Sequence, residues 1–340
     1  MRKIATLTTW GSLITATSLI MFTVFTGPSH IAIAATIGTT PPTLTARGGN
    51  TPSAQKAPSI ACKVHPPQYT PPPQVLPPDP AHTGDMTYQG GPLVDGIAKI
   101  YLIFWQDTAF QKVTPTYVSQ IEQFVKDMGQ SSYYANLMQY HDGRGRCPVG
   151  AQLAGTVVDT RPFPPNLVAM LKNPNAQKAM DSLTGQIWDQ EMADVITKQR
   201  WNSRDLHNIF VLLPIMSWGC GNHASGVPND ISPSIIIPYP FSNGQIQCTF
   251  NIPKRSDRDQ IADITINALS YEIPQAVTDP RFDAWLTSQQ HQEREVISKC
   301  ATIPLQIDPK TGGNVTWHGH SYVVDLEYSN LRHGCVLEGP

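Results

Sequence analysis

The sequence predicts an α/β domain built on a mixed sheet with flanking helices, stabilised by disulfides and preceded by a secretion leader and a proline-rich stalk. Three observations lead there. Short β-branched and aromatic runs alternate with stretches of helical periodicity, the pattern of a layered α/β fold. The cysteines number six, an even count without a CxxC pair, which suits a chain that leaves the cytoplasm and argues against a thiolate zinc site. Proline pairs and triplets gather between Thr36 and Pro92, where large apolar side chains are scarce.

Composition excludes some partners. A formal charge of -2 over 340 residues, without basic runs, gives no electrostatic footprint for nucleic acid and no polybasic membrane anchor. With 40% hydrophobic and 15% charged residues, the chain can build a large core.

At the N-terminus, Arg2 and Lys3 precede an apolar run from Leu13 through Phe25, and Ala32-Ile33-Ala34 forms a small-x-small cleavage site. This reads as a signal peptide over residues 1–34, because the run is broken by Thr15, Thr17, Ser18 and Thr23 and falls short of the ~20 residues that span a bilayer. Cleavage removes two basic residues and takes the balance from -2 to -4. Lipid attachment at Cys62 fails, since that cysteine does not directly follow the apolar run. Residues 35–90 then read as an extended stalk resembling polyproline II, a spacer or, less simply, a PxxP ligand.

Residues 91–340 remain for one domain, large enough to bury roughly three quarters of its unfolded surface. Ile97 to Trp105 is too apolar for a surface strand and predicts a central strand covered on both faces. Tyr117 to Met128 carries Val118, Ile121, Phe124, Val125 and Met128 at helical spacing and ends at Gly129, a candidate left-handed cap. A helical patch, Tyr133 to Tyr140, follows. Leu153 to Asp159 and Ile209 to Leu213 predict strands on either side of a helix over Asp181 to Trp201. Ile235 to Ile237, stopped by Pro238 and Pro240, suits an edge strand. Leu305 to Ile307 and Asn314 to Trp317 flank a turn and predict a hairpin, with a last strand over Tyr322 to Leu326. Proximity in sequence pairs Cys220 with Cys248 and Cys300 with Cys335, leaving Cys62 for Cys147, one of 15 possible connectivities.

The segment Ser256 to Pro280 predicts a long helix with Ser256 and Asp257 as cap candidates and a stop at Thr278-Asp279-Pro280. Ala262, Ile266, Leu269, Ile273, Ala276 and Val277 form an apolar arc, and Asp263, Asn267, Ser270 and Pro274 a polar one. A third arc starts with Ile261, Ile264 and Ala268 and finishes with Tyr271, Glu272 and Gln275. Such groups need partners if buried. They form either a functional site or a hydrogen-bonded network stitching helix to sheet, and on the residues alone the network is the stronger reading.

Gln89-Gly90-Gly91-Pro92, Leu102-Ile103-Phe104-Trp105, Cys220-Gly221-Asn222-His223, Ser270 to Pro280, Ala284-Trp285, Glu295 to Cys300 and Glu327-Tyr328-Ser329-Asn330 before Gly334-Cys335 resemble, in order and spacing, the secreted EXORDIUM and phosphate-induced protein family and its bacterial relatives. The resemblance spans Gln89 to Leu337. It implies an extracellular or cell-envelope protein with a zincin-like core, because the bacterial relatives commonly carry Ser-His-Glu-x-x-Glu-Ala-x-Thr-Asp-Pro at the helix. There a histidine and a carboxylate four residues on can hold one zinc while the adjacent glutamate deprotonates its water. This chain places Tyr271 for the histidine, Gln275 for the second carboxylate and Pro274 for a helix former, and Ser298 for a downstream aspartate; Glu272 survives. Neutral tyrosine and amide oxygen are poor zinc ligands.

The expectation is therefore a non-catalytic extracellular or cell-envelope binding module with a degenerate metal site and no cofactor, using Tyr271, Gln275, His223 and Glu295 to bind its ligand. The alternative is a zinc-dependent, zincin-like peptidase with Glu272 as catalytic base and ligands from His223, His318, His320 or Glu295. A purely structural surface protein is a third class. The chain shows neither a G-x-S-x-G elbow nor a glycine-rich phosphate loop, and a glycosidase's carboxylate separation cannot be read from sequence.

Overall fold

A computed structural model describes residues 62, 74–78, 84–109, 112–171, 177–216, 220–224, 231–242, 245–246, 248, 252–287 and 295–339. The leader and most of the expected stalk lie outside them.

The centre is a five-stranded mixed sheet in the order β3-β2-β4-β6-β5. Strand β2 (Gly96–Trp105) lies between β3 (Pro148–Asp159) and β4 (Asn208–Pro214) and runs parallel to both. Strand β6 (Ser234–Ile236) continues the parallel set, and β5 (Asn222–Ala224) closes the edge antiparallel. The alternation of side chains in β2 shows why its sequence is so apolar. Ile100, Leu102 and Phe104 enter one core with helices α1 (Pro115–Met128) and α5 (Gln260–Thr278). Ile103 and Trp105 enter a second core against α3 (Pro165–Leu171) and α4 (Gln177–Gln199). Both faces are thus covered, as the run predicts.

Some expected details change. The strand at Ser234–Ile236 is not at the edge, because β5 pairs with it through Asn222 to Ala224. Gly129 caps α1 in the right-handed region, at φ -64°. Its lack of a side chain serves packing, since a Cβ there would run into the Ala151 carbonyl. The patch after α1 splits into the single turn α2 (Ser132–Ala135) and a 3-10 turn over Asn136–Gln139.

Smaller pairs complete the fold: β1 (Met86–Tyr88) with β9 (Trp285–Thr287), β7 (Phe241–Ser242) with β8 (Gln245–Ile246), β10 (Val315–Trp317) with β11 (His320–Tyr322), and β12 (Glu327–Ser329) with β13 (Gly334–Val336). The C-terminal hairpin is therefore β10–β11, turned by His318 and Gly319 at φ 49° and 84°, and Leu305 to Ile307 forms no strand. Two successive positive φ angles are the ordinary solution for a two-residue hairpin turn. Residues upstream of Gly91 already belong to the domain, through β1 and a bridge from Leu76 to Cys335.

The disulfides join Cys62–Cys147, Cys220–Cys248 and Cys300–Cys335, closing separations of 85, 28 and 35 residues. In the chain-entropy account each removes about 4 kcal/mol of freedom from the unfolded chain. Among the described residues, no helix is long and apolar enough to cross a membrane.

Candidate functional site

Helix α5 is buried on nearly every side, so its polar residues all need partners. It starts later than Ser256 and Asp257 suggest: Asp259 is the cap, its Oδ1 accepting the Ile261 and Ala262 N–H groups at 2.9 and 3.3 Å. The stop at Thr278 and Asp279 agrees with the sequence.

Pro274 lies inside the helix and is buried. It deprives the Ser270 carbonyl of its usual donor, and the Tyr133 hydroxyl supplies one instead at 3.1 Å. The carbonyl of Pro274 in turn accepts the Thr278 hydroxyl at 2.9 Å.

One turn away, the third arc meets two separate sets of partners. The Tyr271 hydroxyl lies 3.0 Å from Ser298 Oγ, and Ser298 donates to Gln275 Oε1 at 2.7 Å. Ser298 thus links Tyr271 and Gln275. Glu272 points elsewhere, to His223 on β5: Nδ1 is 2.9 Å from Glu272 Oε2.

The other edge of the same ring faces Glu295, with Nε2 2.9 Å from Oε1. That second contact is close but off the N–H direction, so neither atom completes a hydrogen bond and it acts as a charge contact. Burial alone would depress the imidazole's pKa; hydrogen bonding to Glu272 and the nearby Glu295 outweigh it and push His223 up to about 10. His223 is thus an imidazolium at neutral pH. Phe282 lies against its ring, with centroids 4.8 Å apart.

Asp279 belongs to the same cluster. Burial raises its carboxyl to about 7, the Ala284 N–H opposing and the Glu295 charge adding to the rise, and its Oδ2 has no hydrogen-bond partner. Sequence reasoning took Asp279 only as a helix stop; the signal it missed was its spacing, four residues after Gln275 and seven after Glu272, which puts it on the same helix arc. Asp325 is likewise lifted to about 7, chiefly by burial, with Asn267 opposing and Glu272 adding to it.

Local backbone fixes this arrangement. Cys220 is bridged to Cys248, and Gly221 follows at φ 135° with Ile237 Cδ1 2.6 Å and Glu272 Oε1 3.7 Å from where a Cβ would lie. The positive φ is what requires glycine at the start of β5, with the Ile237 side chain adding to the crowding.

The residues do not fit a metal. The two carboxylates address different nitrogens of one ring, so no point is shared by both and one lone pair at the 2.0–2.2 Å zinc requires. Among the described residues, no group of three or more His, Cys, Asp or Glu side chains is arranged to hold an ion. His318 and His320 do not join Glu272. Their Nδ1 atoms lie 3.2 and 2.8 Å from the Asp127 carboxylate of α1.

Away from this cluster, a cavity of about 410 Å³ opens beside Trp105 and Arg161, where the parallel strands end. Arg161 pairs there with Asp159, Glu191 and Asp194 at 3.0, 2.8 and 3.0 Å, and burial lifts Glu191 to about 7 against the pull of that arginine. None of these residues stands out in the sequence. No protein-family profile, no curated protein and no solved structure matches this chain.

Proposed function

We propose that the chain is a secreted extracellular or cell-envelope protein that acts as a non-catalytic binding module, its zincin-like helix holding an internal cation where relatives of the resembled family would hold a metal. The observation that carries this reading is His223 between Glu272 and Glu295, 2.9 Å from each. A metalloprotease base needs a carboxylate free to take a proton from metal-bound water. Glu272 instead accepts a hydrogen bond from a charged imidazolium, and Tyr271 and Gln275 are engaged with Ser298. The three disulfides suit an oxidising, extracellular setting.

The test is elemental analysis of the secreted full chain, disulfides intact, after dialysis against trace zinc, with a peptidase screen of the same sample. The reading expects no stoichiometric zinc and no peptidase activity. About one equivalent of zinc, together with activity that Glu272→Gln abolishes in a folded protein, establishes the peptidase alternative instead.

A further inference from the structure

The cavity of about 410 Å³ at Trp105 and Arg161 stands at a topological switch point of the sheet. The chain leaves β2 for β3 on one side and crosses back to β4 on the other. The cavity opens at the last residue of β2, beside the loop that follows β3 and against α4. Ligands of open parallel sheets gather in that crevice, and the volume is that of a small-molecule site.

Negative charge is in excess here. Arg161 has each of its guanidinium nitrogens taken, Nε by Asp159, Nη1 by Asp194 and Nη2 by Glu191. Asp107 stands at the same end of the sheet and caps the Ala109 and Phe163 N–H groups at 2.8 and 2.9 Å. Among the described residues, three carboxylates therefore share one guanidinium and a fourth has no cation.

Their oxygens are not equally occupied. Asp159 uses both, Oδ1 on the Arg161 backbone N–H at 2.9 Å and Oδ2 on Nε. Asp194 also uses both, Oδ2 on Arg161 and Oδ1 on the Gln190 amide at 2.7 Å. Glu191 differs. Its side chain is only 6% exposed, Oε1 alone meets Arg161, and Oε2 has no partner among the described residues. A carboxyl more than nine-tenths buried, in a cavity wall and with one oxygen open, calls for a donor from the cavity.

The remaining lining selects that donor. Pro162, Pro164 and Ile187 are apolar walls, and Trp105 spends its Nε1–H on the Arg161 carbonyl at 3.0 Å. An anion would face Glu191 and Asp194 with the guanidinium already engaged. Among the described residues, no three acids are arranged to hold a metal ion. An ammonium group on an apolar body suits both parts of the cavity.

We propose that this cavity binds a small primary amine in its ammonium form, with Glu191 and Asp194 meeting the charge and Pro162, Pro164 and Ile187 the apolar body. The proposal rests on the binding-module reading and gives it a ligand class. Binding has a pH signature. Burial chiefly lifts Glu191 to about 7, with Arg161 opposing and Asp159 and Asp194 adding to the rise. A bound cation favours the ionised carboxylate, so affinity rises as pH climbs through 7.

The test titrates the secreted full chain by calorimetry with phenethylamine, its neutral isostere phenethyl alcohol and the anion hydrocinnamate. The amine should bind about tenfold or more tighter than either, and about tenfold tighter at pH 8 than at pH 5.5. Asp194→Asn should weaken it by a few-fold, the size of one exposed charge pair, and that side chain is 44% exposed, so the fold is not threatened. Glu191→Gln should weaken it about tenfold and flatten the pH dependence. The proposal is overturned by no binding of the amine at millimolar concentration, by equal binding of the alcohol or the anion, or by an Asp194→Asn protein with unchanged affinity. Zinc content is measured separately, so failure here removes the ligand class and leaves the binding-module reading to its own test.

Discussion

Replacing His223 by glutamine removes the cation between two carboxylates while keeping an N–H group for one of them. The three side chains are 5%, 8% and 14% exposed, for His223, Glu272 and Glu295 respectively. Breaking a buried pair by deleting one partner costs about 3–5 kcal/mol, because the remaining charge stays buried uncompensated. The rise of the imidazole from its ordinary value to about 10 points the same way, since each tenfold preference for the charged form is worth about 1.4 kcal/mol. Glu295 is the more exposed carboxylate and its contact is misaligned, so the expected loss is at the lower end, about 3 kcal/mol. In a domain of this size that lowers Tm by about 6–12 °C. Thermal and urea unfolding at pH 7, followed by circular dichroism, measure it. A companion variant carrying His223→Gln with Glu272→Gln and Glu295→Gln should recover most of the loss, because no orphan charge remains. A loss below about 1 kcal/mol in the single variant, or a triple variant no more stable than the single one, refutes the view that His223 serves as the counter-ion.

Tyr133→Phe strands the Ser270 carbonyl beside Pro274 and should cost about 1–3 kcal/mol in urea unfolding. In a Pro274→Ala background, where the backbone N–H returns, the same change should cost clearly less; equal costs in both backgrounds would contradict the substitution of one donor for the other. Stability should also fall as pH climbs. The contribution of His223 is complete below its unfolded value near 6.5 and is lost as pH rises through about 10. Asp279 and Glu191, lifted to about 7 from near 4, favour the fold while protonated, and that advantage is lost as pH rises through 7. Asp127, Asp142 and Asp205 are lowered by their hydrogen bonds, despite burial, and act oppositely, losing their contribution as pH falls below about 4. Thermal melts should therefore peak between about pH 4 and 6 and decline toward pH 10; a Tm rising from pH 5 to 9 would contradict these assignments.

The sheet was legible because burial on both faces leaves a strong mark: the runs at Ile97 and Ile209 have no polar alternation to blur them. The pairing of the cysteines followed from spacing, and the structure has the same three bridges. Strand order was not legible. Nothing in Cys220 to His223 announces a strand, yet three residues there move Ser234–Ile236 away from the edge. The hairpin was misplaced because the turn chemistry at Asp308 to Gly313 is strong and forms a real turn, closed by Asp308 and Gly312 N–H groups, but without strand pairing on its far side. His318 and Gly319, between the predicted strands, are the turn instead.

At the candidate site, sequence could name Tyr271, Glu272 and Gln275 but not what they meet. Periodicity places a residue on a helix face; it says nothing of which loop brings the counter-charge. In α5 every buried acid acquires its cation from outside the helix, Asp263 from the preceding loop through Arg255 and Arg258, and Glu272 from β5 through His223. A helix buried on nearly every side can carry such acids only if those segments arrive in fixed positions, since an unpaired carboxylate at either place would cost more than any one apolar contact returns. The Cys220–Cys248 bridge holds the start of β5, and Gly221 takes the positive φ that leads into it beside Ile237. Covalent and steric constraint on that short strand is therefore a condition for burying Glu272, which ties the disulfide to the ionic arrangement as directly as to the fold.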